Sequence, residues 1–275
     1  MKKLFALLLT FASLSVFAKD DRCSMVIPWT TGGTSDLAAR ALQKGNNNIL
    51  IDYKPGAFAA VATNHLTSNP DVFMLSPLHM FSAGNPTKDV NLDVTRVMYG
   101  TDFAIVTGKD IKVEDLLTKK INLGIPGLGT GYHAIALDIQ QRNSQLEIIP
   151  MGSDAKAIPS LINKDIDAYI ASGPIAKQWT ESFPTVSNIL DLPFGKRVTV
   201  SGLTLQNFTF QGILVSKNAS QEQKAKVDQC IDSAVASSEF KKEADRLSLR
   251  VINTSGAEAT RITNEYFRMM KKHGL

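Results

Sequence analysis

The stretch PWTTGGTSDLAARALQK, Pro28–Lys44, decides how the chain is interpreted. Gly32 and Gly33 lie among hydroxyl residues, after a short apolar segment and before a helical pattern that begins near residue 34. Free amide groups at a helix start and the helix dipole behind them favour an anion, and glycine lets a ligand approach the backbone. The stretch therefore predicts an anion-binding loop, which suits a nucleotide-binding enzyme or a receptor for a small acid.

A second stretch, INLGIPGLGTGYHAIALDIQ, Ile121–Gln140, repeats this arrangement. Gly127, Gly129 and Gly131 alternate with other residues before a helical pattern that opens near His133. Each half of the chain is thus expected to contain a strand, a glycine-rich loop and a helix. In open α/β folds ligands bind at the carboxyl ends of the strands, where such loops lie.

Strand-like and helix-like segments alternate along the chain, which predicts an α/β protein with mainly parallel sheets. Helical patterns occur near residues 34–44, 58–67, 112–118, 131–142 and 155–163. After residue 216 the sequence predicts only helices, two of which open with capping-box patterns at Ser220 and Ser255. Apolar strand-like segments lie at Met25–Pro28, Ile49–Tyr53, Val72–Leu75, Phe103–Thr107, Ile121–Ile125, Ile148–Met151, Ala168–Ala171 and Phe208–Ser216.

The first eighteen residues have the pattern of a secretory signal peptide. Lys2 and Lys3 precede a short apolar run, and small residues lead to an expected cut after Ala18. No later stretch approaches the roughly 20 apolar residues of a spanning helix. The sequence therefore predicts an exported, soluble, periplasmic protein made of residues 19–275.

Charge and cysteine content exclude further classes. Without Lys2 and Lys3, 28 basic residues face 26 acidic ones, which is far from the basic surface of a nucleic-acid binder. Cys23 and Cys230 are too few to hold a disulfide-framed small fold. They can pair in an oxidising compartment, or Cys230 can be a buried thiol on the apolar face of its helix.

No sequence motif for catalysis is present. Neither glycine-rich loop has the Walker pattern, and the chain contains no G-x-S-x-G, HExxH or CxxC motif. The four histidines are scattered without metal-ligand spacing. We therefore expect no catalytic residue, no metal and no cofactor, and two anion-holding loops that bind without turnover.

Four segments of the chain resemble motifs of one protein family, the Bug-type extracytoplasmic solute receptors of tripartite tricarboxylate transporters. The resemblance covers nearly all of residues 19–275 in matching order. It is carried by Pro28–Asp36, by Tyr53–Ala57, by Pro126–His133, and by Ala157–Leu161 with Asp165–Ala168. The chain departs from the family pattern at Phe58-Ala59-Ala60, where further glycines and an asparagine are usual, and this departure suggests a smaller or differently shaped pocket.

The resemblance implies a type II-like periplasmic-binding-protein fold with two α/β lobes joined by crossing strands and the ligand in the cleft between them. Residues 19–106 and 209–275 would form the first lobe, and residues 107–208 the second. The ligand would be a small carboxylic acid, and the partners would be membrane permease subunits that receive it from a monomeric receptor. A ligand-presenting sensor for a membrane signalling protein is the alternative, and genomic neighbours would separate the two.

The expected ligand-binding residues come from both halves of the chain and from three strand ends. One carboxylate would lie on the first loop and its helix start, Trp29 would face the carbon skeleton, and the second lobe would approach through the second loop. Asp36 is expected to complement the helix dipole. The nominated residues are Trp29, Thr30, Thr31, Gly32, Gly33, Thr34, Ser35, Ser76, Gly127, Leu128, Gly129, Thr130, Gly131, Tyr132, Ser172 and Gly173.

Overall fold

The structure is a computed structural model that describes residues 22–81, 91–192, 197–200, 202–206 and 209–275. The predicted signal peptide, residues 1–18, lies outside the described residues. The strands are β1 (Cys23–Ile27), β2 (Ile49–Tyr53), β3 (Phe73–Pro77), β4 (Leu92–Thr101), β5 (Phe103–Gly108), β6 (Ile121–Ile125), β7 (Leu146–Pro150), β8 (Ala168–Ser172), β9 (Val186–Leu192), β10 (Arg197–Val200), β11 (Leu203–Gln206), β12 (Thr209–Ser216) and β13 (Arg250–Ser255). The α-helices are α1 (Thr34–Gly45), α2 (Ala60–Ser68), α3 (Asp115–Thr118), α4 (Gly131–Gln140), α5 (Asp154–Ile162), α6 (Gly173–Ser182), α7 (Gln221–Ala236), α8 (Ser238–Arg246) and α9 (Gly256–Lys272).

Two sheets organise the molecule. The first has six strands in the order β13-β4-β12-β3-β1-β2, and the second has five in the order β7-β6-β8-β5-β9. Strands β10 and β11 form a separate antiparallel pair. The chain leaves the first sheet at Thr101, enters the second at Phe103, and returns to the first with β12. The two-lobed α/β fold of the type II periplasmic-binding-protein kind is thus confirmed.

Both sheets are mixed, where the sequence predicted mainly parallel pairing. Strand β1 runs parallel to β2 and β3, and β6 runs parallel to β7 and β8, because helices connect these strands. Antiparallel pairing dominates around the segments that link the sheets. Strand β12 lies antiparallel between β3 and β4, and β5 lies antiparallel between β8 and β9.

Several sequence predictions need correction. The chain after residue 216 is not wholly helical, because β13 adds an edge strand to the first sheet. The sequence reading also missed β4 and α6. Ser220 forms the predicted capping box with Gln223, but the Ser255 side chain makes no capping hydrogen bond to α9.

Apolar helix faces cover the sheets and hold the loops in place. Helices α1, α7 and α8 pack on β1, β2 and β3 around buried Leu42, Ile231 and Phe240. Helix α4 covers one face of the second sheet, and α5 and α6 cover the other. A disulfide joins Cys23 of β1 to Cys230 of α7. In the described part of the chain, no helix has the length and apolar character needed to cross a membrane.

Candidate functional site

A cavity of about 70 Å³ lies where elements of the two sheets meet. It is bordered by the loops that follow β1, β6 and β7, by the turn before α2, and by β12 and the segment at the end of β3. Helices α1, α4 and α5 therefore begin at its wall. The lining residues are Trp29, Thr30, Thr31, Gly33, Thr34, Ser35, Asp36, Phe58, Pro77, His79, Pro126, Gly127, Thr130, Tyr132, Gly152, Ser153, Asp154, Ala155 and Gln211.

The first loop turns sharply at Gly32, whose φ of +87° is a conformation that glycine adopts without strain. The Gly32 amide donates to Asp36 Oδ2 at 2.8 Å. Asp36 Oδ1 also accepts from Arg40 Nε at 2.8 Å and from the Tyr53 hydroxyl. Asp36 therefore folds the loop against its own helix. Gly33 is the N-cap residue of α1 and supplies no side-chain cap.

Hydroxyl groups of α1 connect elements of the two sheets. Thr34 Oγ1 lies 2.5 Å from Ser172 Oγ, the residue that ends β8. The buried Tyr132 of α4 also hydrogen-bonds Thr34. Ser35 Oγ donates to Gln211 Oε1 of β12 at 3.0 Å. These hydroxyls hold the cavity wall together across the two sheets.

The second loop satisfies its own polar groups. Thr130 Oγ1 donates to the Gly127 carbonyl at 2.7 Å and accepts from the His133 amide at 3.1 Å, so it caps α4. The Gly129 amide donates to His133 Nδ1 at 3.1 Å. Burial is the main cause that lowers the pKa of His133, so this imidazole is predominantly neutral at pH 7 and accepts the bond.

Aromatic rings form one side of the cavity. Trp29 and Phe58 meet edge to face with centroids 5.7 Å apart, and His79 lies 6.2 Å from Trp29 and 6.4 Å from Phe58. Burial lowers the pKa of His79 to about 3, so the ring is uncharged at neutral pH. The sequence reading expected an altered pocket at Phe58, and the ring does line the cavity.

Phe58 reaches this position through a left-handed turn. Ala57, Phe58 and Ala59 have φ values of 45°, 53° and 70°. Each such conformation costs about 1–2 kcal/mol for a residue other than glycine. The turn delays the start of α2 to Ala60, two residues after the predicted start, and brings Phe58 against the second loop. A Cβ atom on Gly127 would lie 3.1 Å from Phe58 Cε2.

Asp154 brings a carboxylate to the first loop from the other side of the cavity. Tyr169 Oη donates to Asp154 Oδ1 at 2.8 Å, and the Thr34 amide donates to the same carboxylate. A Cβ atom on Gly33 would lie 3.2 Å from Asp154 Oδ2. Burial is the main cause that raises the pKa of Asp154 to about 6, against the lowering effect of these two hydrogen bonds.

The structure divides the nominated residues into two groups. Nine line the cavity: Trp29, Thr30, Thr31, Gly33, Thr34, Ser35, Gly127, Thr130 and Tyr132. Seven are outside the lining: Gly32, Ser76, Leu128, Gly129, Gly131, Ser172 and Gly173. Their ligand-binding roles remain predictions.

Each residue outside the lining has a local environment that the structure defines. The Leu128 side chain is half exposed, and Ser76 is fully buried in β3. Ser172 contacts Thr34 instead of the cavity. A Cβ atom on Gly173 would lie 2.6 Å from Asp102 Oδ1, so glycine is needed there for close packing.

Asp154 and Gln211 line the cavity although the sequence reading did not nominate them. The sequence did contain an indication for Asp154. It stands between a strand, β7, and the start of a helix, as the two glycine-rich loops do. The sequence contained no indication for Gln211, because it is a single polar residue inside an apolar strand. His79 was noted only as a histidine without metal-ligand spacing.

Comparison with solved structures identifies the fold. The periplasmic binding protein BugD matches with a TM-score of 0.76 at 17% identity, over 92% of this chain and 97% of BugD. MatC from Rhodopseudomonas palustris, solved with malate, matches with a TM-score of 0.76 at 14% identity, over 91% and 98% of the two chains. Rpa4515 from R. palustris, solved with adipate, matches with a TM-score of 0.77 at 14% identity, over 91% and 95%.

Sequence comparisons add no closer relative. No protein-family model matches the chain, and no curated protein matches it significantly. Each structural match covers more than 90% of the chain, and BugD is a periplasmic binding protein. The chain therefore has the two-lobed fold of periplasmic solute-binding proteins such as BugD.

Proposed function

We propose that this chain is an extracytoplasmic solute-binding protein that captures a small organic acid and delivers it to the permease subunits of a tripartite tricarboxylate-type transporter. The observation that carries the proposal is the convergence of three helix starts, those of α1, α4 and α5, on one cavity. Amide groups at helix starts and the dipoles behind them favour a carboxylate. Two neighbours of the same fold were solved with malate and adipate, which supports a carboxylate ligand.

Backbone groups and hydroxyls would hold the acid. Among the lining residues that the structure describes, none is Lys or Arg. Thr30 and Thr31 lie exposed beside the cavity and add hydroxyl donors to the loop. The ring faces of Trp29 and Phe58 would contact the carbon skeleton, and ordered water would fill the remaining polar positions.

Closure of the two lobes would create the surface that a permease recognises. The chain crosses between the sheets at Thr101–Phe103, and the contact between Thr34 and Ser172 bridges the cleft. A ligand that binds the closed form more tightly shifts the population toward it. Export by the signal peptide to the periplasm and a monomeric state are part of this proposal. The two lobes would divide near residue 102 and not at residue 106, because β5 belongs to the second sheet.

A thermal-shift screen of the purified protein tests the binding step. Mono-, di- and tricarboxylic acids and acidic amino acids are added singly, and a ligand at 100 times its dissociation constant should stabilise the fold by about 2.7 kcal/mol. Mass spectrometry of the recovered ligand should show no chemical change. If no acid shifted the melting temperature, or if a bound acid were converted, the proposal would be wrong.

Delivery to a permease is tested separately from capture. The protein is added to vesicles that contain the permease subunits of a tripartite tricarboxylate-type transporter from the same organism, and uptake of the labelled acid is measured. Uptake should depend on the protein and the acid together. A receptor that captures the acid without supporting uptake would instead fit the sensor alternative, for which membrane-kinase activity is the readout.

A further inference from the structure

Asp154 places a negative charge at the helix start that was expected to hold a ligand carboxylate. It is the first residue of α5, yet its carboxylate accepts from the Thr34 amide at the start of α1. Tyr169 Oη supplies a second donor at 2.8 Å. The position of Oδ2 beside Gly33 shows that the carboxylate fills the space next to the loop backbone.

Among the described residues of the cavity wall, no cation balances this charge. Among the described lining residues there is no Lys or Arg, and Asp36, the other acidic one, is held by Arg40 and Tyr53. His79 is uncharged, because burial lowers its pKa to about 3. A half-buried carboxylate that meets only neutral donors is costly, and a cation brought by a ligand would reduce that cost.

The ligand must therefore suit a cavity that already contains an anion. A second carboxylate beside Asp154 would meet a like charge in a poorly solvated place, whereas an ammonium group would meet an opposite one. The aromatic rings of Trp29 and Phe58 in the same cavity wall also suit a cation, because an aromatic ring is negative at its face. Asp154 has lone pairs beyond those used by Thr34 and Tyr169.

We propose that the ligand of this cavity is a small zwitterion, an amino acid or another amine-bearing acid, whose ammonium group binds Asp154 and whose carboxylate binds the remaining loop amides and hydroxyls, including those of Thr30, Thr31 and Gly127. This inference rests on the proposed function, since it specifies the acid that the same cavity takes. It assigns to Asp154 the choice between acids with and without an amine.

Matched pairs of acids test the assignment by calorimetry at about pH 7.5. Each pair differs by one amine: aspartate and succinate, glutamate and glutarate, 4-aminobutyrate and butyrate. In at least one pair, the amine-bearing acid should bind the unaltered protein about tenfold more tightly or better. Asp154→Asn should remove this preference, so that the two members of the pair bind within about threefold of each other.

Asp165→Asn is the matched control, because Asp165 is exposed just after the end of α5 and is not part of the cavity wall. It should keep the preference unchanged. Circular dichroism checks that each variant is folded, and Asp154→Ser replaces Asp154→Asn if the latter fails that check.

Proton counting in the unaltered protein gives an independent test that needs no variant. Burial raises the pKa of Asp154 to about 6, so this carboxyl is partly protonated at that pH. An ammonium group lowers this pKa and releases protons on binding, whereas an anion raises it and takes protons up. Calorimetry at about pH 6 in buffers of different ionisation enthalpy measures the sign.

Two tyrosines and a histidine near Asp154 stay neutral in this range. Tyr169 of β8 and Tyr132 of α4 have pKa values raised well above the ordinary value by burial, so both stay neutral. His79, beyond the end of β3, stays neutral because its pKa is about 3. On α1, Asp36 is paired with Arg40.

The outcomes separate this inference from the proposed function. If acids without an amine bind the unaltered protein as tightly as their partners, or if the amine-bearing acids bind with proton uptake, the zwitterion assignment is overturned while the carboxylate receptor stands. Asp154 would then occupy the position that a ligand carboxylate was expected to take. If no member of any pair binds, both the receptor proposal and this inference fail.

Discussion

The two glycine-rich loops look alike in sequence but differ in what their polar groups do. In the second loop, the Thr130 hydroxyl caps α4 and the His133 ring accepts the Gly129 amide. In the first loop, Gly33 is the N-cap residue and has no side chain, so the Thr34 amide at the start of α1 is met by Asp154 from another element. The polar groups of the second loop thus bond to residues of that loop and its helix, whereas the Thr34 amide of the first loop bonds to a residue of α5.

This difference teaches that glycine spacing indicates backbone shape, whereas the side chain at the N-cap decides whether an amide is available. A threonine at that position occupies one of the donors that a ligand would need. A glycine leaves the donors available to whatever enters the cleft. The first loop is therefore the binding loop of our proposal, and the second forms mainly a wall.

The largest expected effect comes from Gly33→Val. The φ of Gly33 is −92°, a value that any residue adopts, so the cause is steric. The new side chain would press on Asp154 and fill the space next to the loop. We expect ligand affinity, measured by calorimetry, to fall about a hundredfold or more, with the free energy of unfolding changed by less than about 1 kcal/mol.

Gly129→Ala is the control in the second loop. Its φ of +70° strains an alanine, so the variant should lose about 1 kcal/mol of stability and keep its affinity within about threefold. The reverse result, with Gly129→Ala abolishing binding and Gly33→Val harmless, would exchange the roles of the two loops.

The pH dependence of stability reports on the carboxylate that completes the first loop. The pKa of Asp154 is raised from 3.8 in the unfolded chain to about 6, so the native state keeps a proton that the unfolded chain has lost between these values. This group therefore stabilises the fold at low pH, and that contribution disappears as pH rises through about 6. The full change is about 2–3 kcal/mol.

Urea unfolding of the ligand-free protein at about pH 4.5 and 7.5 measures this change against Asp154→Asn, which lacks the titrating group. The difference in unfolding free energy between the unaltered protein and the variant should depend on pH in the stated direction. A difference that stays constant with pH would mean that Asp154 is solvated and does not complete the loop.

Thr130→Val should have a moderate effect that is confined to stability. It removes the cap of α4 and should cost about 1 kcal/mol, or about 2–4 °C in melting temperature for a chain of this size. Affinity should stay within about threefold, because the hydroxyl already serves the helix. Thr31→Val, at an exposed position of the first loop, should leave the melting temperature unchanged and reduce affinity instead.

Arg40→Ala should have the smallest effect. Arg40 is the cation bound to Asp36 beside the first loop, but it is half exposed and does not line the cavity. Asp36 keeps its bonds to Gly32 and Tyr53 in this variant. Affinity should change by less than about threefold. Loss of binding here would show that a salt bridge holds the acid and that the backbone does not.

Most of the helices and strands could be predicted, because the pattern of each depends only on residues within one short segment. Strands β2 and β6 coincide with the predicted ranges, and α1 begins at the predicted residue. Strand β4 was missed because Arg96 interrupts its apolar pattern. The charge is tolerated because Arg96 bonds Asp228 and Asp232, which are more than a hundred positions away in the sequence.

The site was harder to predict because its contacts join distant segments. Helix α6 was missed because Gly173-Pro174 looks like a break, although proline is well suited to the first turn of a helix. The pairing of Asp154 with the first loop joins residues about 120 positions apart, a relation that no local motif encodes. The two glycine-rich loops were predicted from the sequence, but the bond between the Thr34 amide and the Asp154 carboxylate was not.

The order of strands also affects how a growing chain assembles. The second sheet uses one continuous stretch, residues 103–192, whereas β12 must insert between β3 and β4 after that stretch has been made. Until then β3 and β4 each present an unpaired edge, which is the kind of surface that promotes aggregation. The disulfide between Cys23 and Cys230 spans 207 residues and closes only after β12 has emerged. The edges of β3 and β4 that receive β12 therefore stay unpaired from β5 until β12 has been made.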